Sequence, residues 1–163
     1  MPVTGPMLLL TPGRLTIAPA VRAAMTRGLD GEGRALSALT ARVRRRLVRL
    51  VSDKPQGWTC VPLSGDGTCA VEAMIISFVP SGGRLAVLVN GAAGRQLVEI
   101  ADRAGVHVSS VVSPTDRACD AGALARLLEL EPDVTHVAVA HFEPATGLVN
   151  PLAQLAEVCQ SRG

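Results

Sequence analysis

The chain has 163 residues, 48% of them apolar, which is one domain's worth of material with enough apolar side chains for a sizeable core. A formal charge of +2 is too close to balance to build a field for nucleic acid, and Trp58, Phe78 and Phe142 are too few aromatics for base stacking. Cys60, Cys69, Cys119 and Cys159 form no CxxC pair and the histidines stand apart, so neither a metal site nor a disulfide framework is expected, and a reducing cytoplasm is the default compartment.

In chain order, "MPVTGPMLLLTPG" has no basic segment and few consecutive apolar residues before Pro12, so neither a signal peptide nor a membrane span is expected. "APAVRAAMTRG" (18–28) reads as a short helix closed by Gly28, and "LDGEG" (29–33) as a flexible break. Residues 1–33 therefore read as an arm with a short helix, and 34–163 as one incomplete domain. From Arg34 to Val51, Leu36, Leu39, Val43, Leu47 and Leu50 recur at three- and four-residue steps, which predicts an amphipathic helix. Pro55 and Gly57 break the chain, and "WTCVPLS" (58–64) reads as a buried strand despite Pro62.

The rest alternates regularly. A helix at 67–79 precedes a strand at 84–90, a helix at 92–105 and a strand at 106–112. A helix at 121–130 and a strand at 135–141 follow, and a last helix has Pro151 near its first turn. Repeats of this length predict an α/β fold: a mainly parallel sheet with helices on both faces. The chain stops after a helix, where such a sheet would receive its next strand, so the sheet is expected to be partial. Ligands of these sheets bind beyond the carboxyl ends of the strands, where "GDG", "NGAAG" and "HFEPATG" all fall.

Each motif has two readings. "SGDGT" (64–68) opens a helix with free backbone N–H groups, which suits an anion; it is equally a tight turn capped by the Asp66 carboxylate. The small residues of "NGAAG" (90–94) admit either a flat ligand or a closely packed helix. His141 and Glu143 form a potential acid–base pair or simply fix a loop, with no nucleophile beside them. The arginines of "RVRRRLVR" (42–49) read as a solvated face before an oligomer or phosphate-backbone contact.

Taken in order, "LLLTPGRLTIAPAVRAAM", "TCVPLSGDGTCAVEAM", "LAVLVNGAAGRQLVEIADRAG" and "HVAVAHFEPATGLVNP" resemble the class V aminotransferases, and within them the phosphonate transaminases. The resemblance covers nearly the whole chain. It implies the large domain of a fold-type I enzyme dependent on pyridoxal 5'-phosphate (PLP), truncated here to an N-terminal part. The implied reaction passes the amino group of 2-aminoethylphosphonate to pyruvate. It places Asp66, Gly67 and Thr68 at the cofactor phosphate, Ala93 where an aromatic residue stacks on the pyridine ring, and Glu143 and Thr146 in a loop beneath the cofactor. Thr11, Pro12 and Gly13 match a substrate-side loop.

The chain departs from the family at Asp66, which replaces serine, at Ala93, at Pro144, which replaces a hydroxyl residue, and at Arg14, which replaces proline. The family's pyridinium-binding aspartate and Schiff-base lysine are expected beyond residue 163, and Lys54, the single lysine, lies at the wrong strand end to substitute. No catalytic residue is therefore assigned, covalent attachment of PLP at the family's lysine is not expected in this chain, and the chain alone is expected not to transaminate. The expected partners are a second copy or a complementing downstream polypeptide, and a small-molecule amino donor, with no nucleic acid or membrane. The alternatives are a fragment of an alanine– or serine–glyoxylate type transaminase, or a non-catalytic α/β module binding a phosphorylated metabolite or a protein.

Overall fold

The computed structural model describes residues 16–28, 33–54 and 56–162. The expected substrate-side loop at 11–13, Arg14 and most of the 29–33 break lie outside them. The described chain divides into two units between Ser64 and Gly65.

In the first unit α1 (Pro19–Met25) starts with proline at its first helical position and buries none of its residues. Helix α2 (Arg34–Val51) has the bounds that its apolar spacing predicts. Its stripe is largely uncovered, however: Val48 is buried, whereas Leu50 is 84% exposed. The strand expected at 58–64 is not formed. Pro62 has no N–H for a ladder, and Arg44 occupies two acceptors of the segment, its Nε donating to the Cys60 carbonyl at 2.6 Å and its Nη2 to Thr59 Oγ1 at 2.8 Å. One member of the arginine cluster is thus a clamp on its own chain.

The second unit runs α3 (Gly67–Phe78), β1 (Arg84–Val89), α4 (Ala92–Arg103), β2 (His107–Val112), α5 (Ala121–Leu130), β3 (Val134–Val139), β4 (Phe142–Glu143), β5 (Leu148–Val149) and α6 (Leu152–Gln160). The first three strands form a parallel sheet in the order β2-β1-β3. Alternation along the central strand decides the layers. Leu85, Val87 and Val89 pack with Ile75 of α3 and with Leu97, Ile100 and Ala101 of α4. Leu88 packs on the opposite side with Leu124 and Leu128 of α5 and Leu155 of α6. Each such leucine or valine contributes about 2 kcal/mol of transfer free energy. The mainly parallel α/β sheet with helices on both faces is therefore the observed fold.

Two details position the strand ends. A β-carbon on Gly94 would lie 2.8 Å from the Val89 α-carbon, so only glycine lets α4 settle this closely on β1. At the other end of β1 the register with β3 slips by one residue after Arg84, and Thr135 Oγ1 donates to the freed Arg84 carbonyl at 3.1 Å. Arg84 also pairs with Glu131 at 2.8 Å, and Ser109 of β2 donates to the same carboxylate.

Candidate functional site

The three turns singled out in the sequence meet at the carboxyl end of the sheet. There β1 is followed by Asn90, whose side chain is buried. An amide buried this deeply needs partners, and Asn150 supplies them from the far side of the hairpin. Asn90 Nδ2 donates to Asn150 Oδ1 at 2.9 Å and Asn150 Nδ2 returns a bond to Asn90 Oδ1 at 3.1 Å. Asn90 also donates to the Arg117 carbonyl, Asn150 donates to the Ala140 carbonyl, and Asn150 Oδ1 accepts from the Cys119 N–H. The ends of β1 and β3 and the approach to α5 are thereby tied into one polar knot.

Glu143 is the second anchor. The segment 141–149 is a β4–β5 hairpin rather than the plain loop expected after β3, with Gly147 at φ 76° in its turn. This brings the Glu143 carboxylate inward and buries it. Its Oε2 accepts from the Ala93 N–H at 2.9 Å and its Oε1 from the Ala145 N–H at 3.2 Å. A β-carbon on Gly91 would come within 2.3 Å of that carboxyl group, so this glycine is what admits Glu143. The carboxylate caps the start of α4 from 50 residues away.

The third element is the 64–68 turn. Asp66 is the N-cap of α3, and its Oδ1 accepts from the N–H groups of Thr68 at 3.0 Å and Cys69 at 3.2 Å. The Cys69 N–H above all, opposed by desolvation and then aided by the Thr68 N–H, holds the exposed Asp66 carboxyl below its ordinary pKa. The helix dipole favours the same negative charge. Gln96 of α4 donates to Thr68 Oγ1 at 3.0 Å, joining the two helix starts.

Beside these starts lies a shallow cleft of about 550 Å³, lined by Ala92, Ala93, Gln96, Glu143, Pro144 and Ala145, with Arg95 and Glu99 completing the wall. Ala93 and Glu143 line it directly. Asp66, Gly67 and Thr68 are not among its lining residues and meet it through Gln96. Thr146 sits in the hairpin turn, exposed, its N–H donating to the Glu143 carbonyl at 3.3 Å. His141 is also exposed, and its carbonyl accepts from the Asn150 N–H at 2.7 Å. Lys54 belongs to the first unit, exposed, its N–H donating to Ser52 Oγ at 3.2 Å. Burial pushes the Cys119 and Cys159 thiols up, away from thiolate reactivity. Among the described residues no group of three or more His, Cys, Asp or Glu side chains is placed to hold a metal ion, and no helix is long and apolar enough to cross a membrane.

Sequence reasoning missed Gln96, Asn90 and Asn150. The asparagines had a faint signal: each follows an apolar run ending in valine, "LVN", where the chain leaves a strand.

No family model matches the chain. It is 40% identical over 156 residues to a 2-aminoethylphosphonate–pyruvate transaminase of Pseudomonas putida, a match covering 96% of this chain and 42% of that protein. Another transaminase of this name, from Rhizobium meliloti, is 39% identical over 164 residues, covering 98% of this chain and 42% of its own length. The chain thus spans about two fifths of the curated relatives it matches. Among solved structures, an alanine–glyoxylate aminotransferase from Nostoc superposes with a TM-score of 0.81 at 31% identity, over 100% of this chain and 43% of that one. A pyridoxamine–pyruvate aminotransferase from Mesorhizobium loti superposes with a TM-score of 0.82 at 23% identity, over 100% of this chain and 41% of that one, a likeness of fold alone. In sequence this chain is similar to about two fifths of the length of the 2-aminoethylphosphonate–pyruvate transaminases, and in fold to the corresponding part of the fold-type I, PLP-dependent aminotransferases.

Proposed function

We propose that this chain is one part of a transaminase moving the amino group of 2-aminoethylphosphonate to pyruvate, with phosphonoacetaldehyde and alanine as products, and that alone it does not transaminate. The observation that carries this is the match itself: 40% identity over 96% of the chain, against a transaminase of which it spans 42%. Residues 34–163 then act as one incomplete large domain behind an arm at 1–33. Asp66, Gly67, Thr68, Ala93, Glu143 and Thr146 belong to the cofactor's surroundings, and Thr11, Pro12 and Gly13 to the substrate side.

PLP, when bound to an enzyme of this class, supplies the electron sink for amino transfer. The residues present do not fit it as they stand. Ala93 offers a methyl group where a flat ring needs an aromatic face. The amides of Thr68 and Cys69 are already taken by Asp66, whose charge repels a phosphate. What the chain's own residues do is hold the frame. Glu143 fixes the start of α4 against the hairpin, the Asn90–Asn150 knot locks the strand ends, and Gln96 sets the spacing of α3 and α4.

The chain mixed with PLP, 2-aminoethylphosphonate and pyruvate is expected to form no alanine. Addition of a polypeptide carrying the remaining length of the relatives, with a second copy of each part if the enzyme is a homodimer, is expected to start alanine formation. Alanine production by the chain alone overturns the reading. A second reading, a non-catalytic module that binds a protein partner, is favoured by the exposed apolar residues Met74, Ile76 and Phe78 of α3. Under it the added polypeptide binds without restoring activity.

A further inference from the structure

We infer that Asp66 takes the place of the phosphate in this chain: its carboxylate sits on the α3 amides that a phosphate ester would use, so the turn is closed to a dianion while that side chain is present. This rests on the reading of the chain as part of a PLP-dependent transaminase, and it concerns only what this chain's own turn can accept.

A phosphate at a helix start is held by first-turn N–H groups and by the positive end of the helix dipole. In α3 those are the N–H groups of Gly67, Thr68 and Cys69, and the last two both point to one atom, Asp66 Oδ1, at 3.0 and 3.2 Å. The cap is short and local, so it is re-formed each time the helix forms and needs no distant contact. A second acceptor of the same kind stands at the start of the neighbouring helix. Glu143, buried, takes the Ala93 N–H, so both helix starts that flank the cleft are neutralised by carboxylates of the chain itself. Of the charged residues lining the cleft, Arg95 is the cation and Glu99 and Glu143 are anions. With Asp66 at the adjoining turn, the balance of this corner is negative, which suits neither inorganic phosphate nor a phosphorylated pyridine.

The contrast with a simple missing-contact explanation is chemical. If the site merely lacked its aromatic platform and its lysine, a small anion would still settle on the α3 amides. If Asp66 occupies them, phosphate binds only after the carboxylate is removed.

The test uses the full chain, labelled with nitrogen-15, titrated with inorganic phosphate and with pyridoxamine 5'-phosphate, which bears the phosphate but no aldehyde to react with Lys54. Two variants are compared with the parent, Asp66→Ser and Asp66→Gly. The second removes the side-chain acceptor altogether, and glycine is itself an accepted N-cap residue, so α3 is preserved with its first amides open if the first variant does not fold. In the parent, the Thr68 and Cys69 amide signals are expected to show no saturable movement. In the variants they are expected to move and saturate, with apparent affinity at least about tenfold tighter than any seen in the parent, the effect of lifting a like charge from beside a dianion. The Ala93 amide, held by Glu143, is expected to stay still throughout. Saturation at equal affinity in parent and Asp66→Gly overturns the inference, and so does absence of binding in folded variants. Neither result touches the transaminase reading, which stands or falls on recovery of alanine formation with the added polypeptide.

Discussion

Glu143 and Gly91 are a matched pair, a carboxylate that must be buried and the one residue type that leaves room for it. A β-carbon at Gly91 meets the carboxyl group at 2.3 Å, which no rotamer of alanine relieves. Gly91→Ala is therefore expected to expel Glu143, free the Ala93 N–H, and cost about 2–4 kcal/mol, measured as a shift of the urea midpoint at unchanged slope. Asn150 is the other critical residue. Its truncation to alanine leaves Asn90 with only its bond to the Arg117 carbonyl, and takes the Asn150 partner from the Cys119 N–H and the Ala140 carbonyl in a buried place. A loss of about 3 kcal/mol is expected by the same measurement. Glu143 was legible in the sequence because a charged residue after a strand draws notice. Asn150 was not, because its partner lies 60 residues away and an asparagine before a proline looks like any turn.

At the scale of elements, α3 is the informative helix. It is apolar nearly all round, yet only one side packs on the sheet through Ile75, while Phe78 is 69% exposed. Replacing Ile76 and Phe78 together by glutamate is expected to leave the thermal midpoint within the range of surface substitutions, about 0.5 kcal/mol each, and to reduce concentration-dependent association in light scattering. Greater destabilisation would mean that this face is packed within the chain. The cap of the same helix gives a pH signature. The folded-state pKa of Asp66 is depressed, so its contribution is present above the ordinary carboxylate value and is lost as pH falls through the lowered one. Glu131, lowered by the Ser109 hydroxyl first and by Arg84 next, acts in the same direction. Thermal stability is expected to hold from neutrality down to the ordinary carboxylate range and to fall below it, with a smaller fall in Asp66→Asn. An equal fall in that variant would remove Asp66 from the account. Helix bounds were readable here because caps and periodicity are local. The 58–64 strand was misread because a short apolar run becomes a strand only when a neighbour accepts its ladder, and Pro62 and Arg44 decided otherwise.

For the molecule as a whole, the sequence by itself determined the alternation of strand and helix, and with it a parallel sheet covered on both faces. It also placed the three turns at one end of that sheet. Those properties follow from period and from turn chemistry, which act over a few residues. Only the tertiary structure decided that β1 is central in the order β2-β1-β3, that Asn90 and Asn150 close a knot, and that Glu143 reaches the α4 amide. It also shows the capping bonds of the 64–68 turn, from the Thr68 and Cys69 N–H groups to Asp66. The reason is physical: a motif specifies which donors are available, but which acceptor reaches them depends on distances that exist only once the layers have packed.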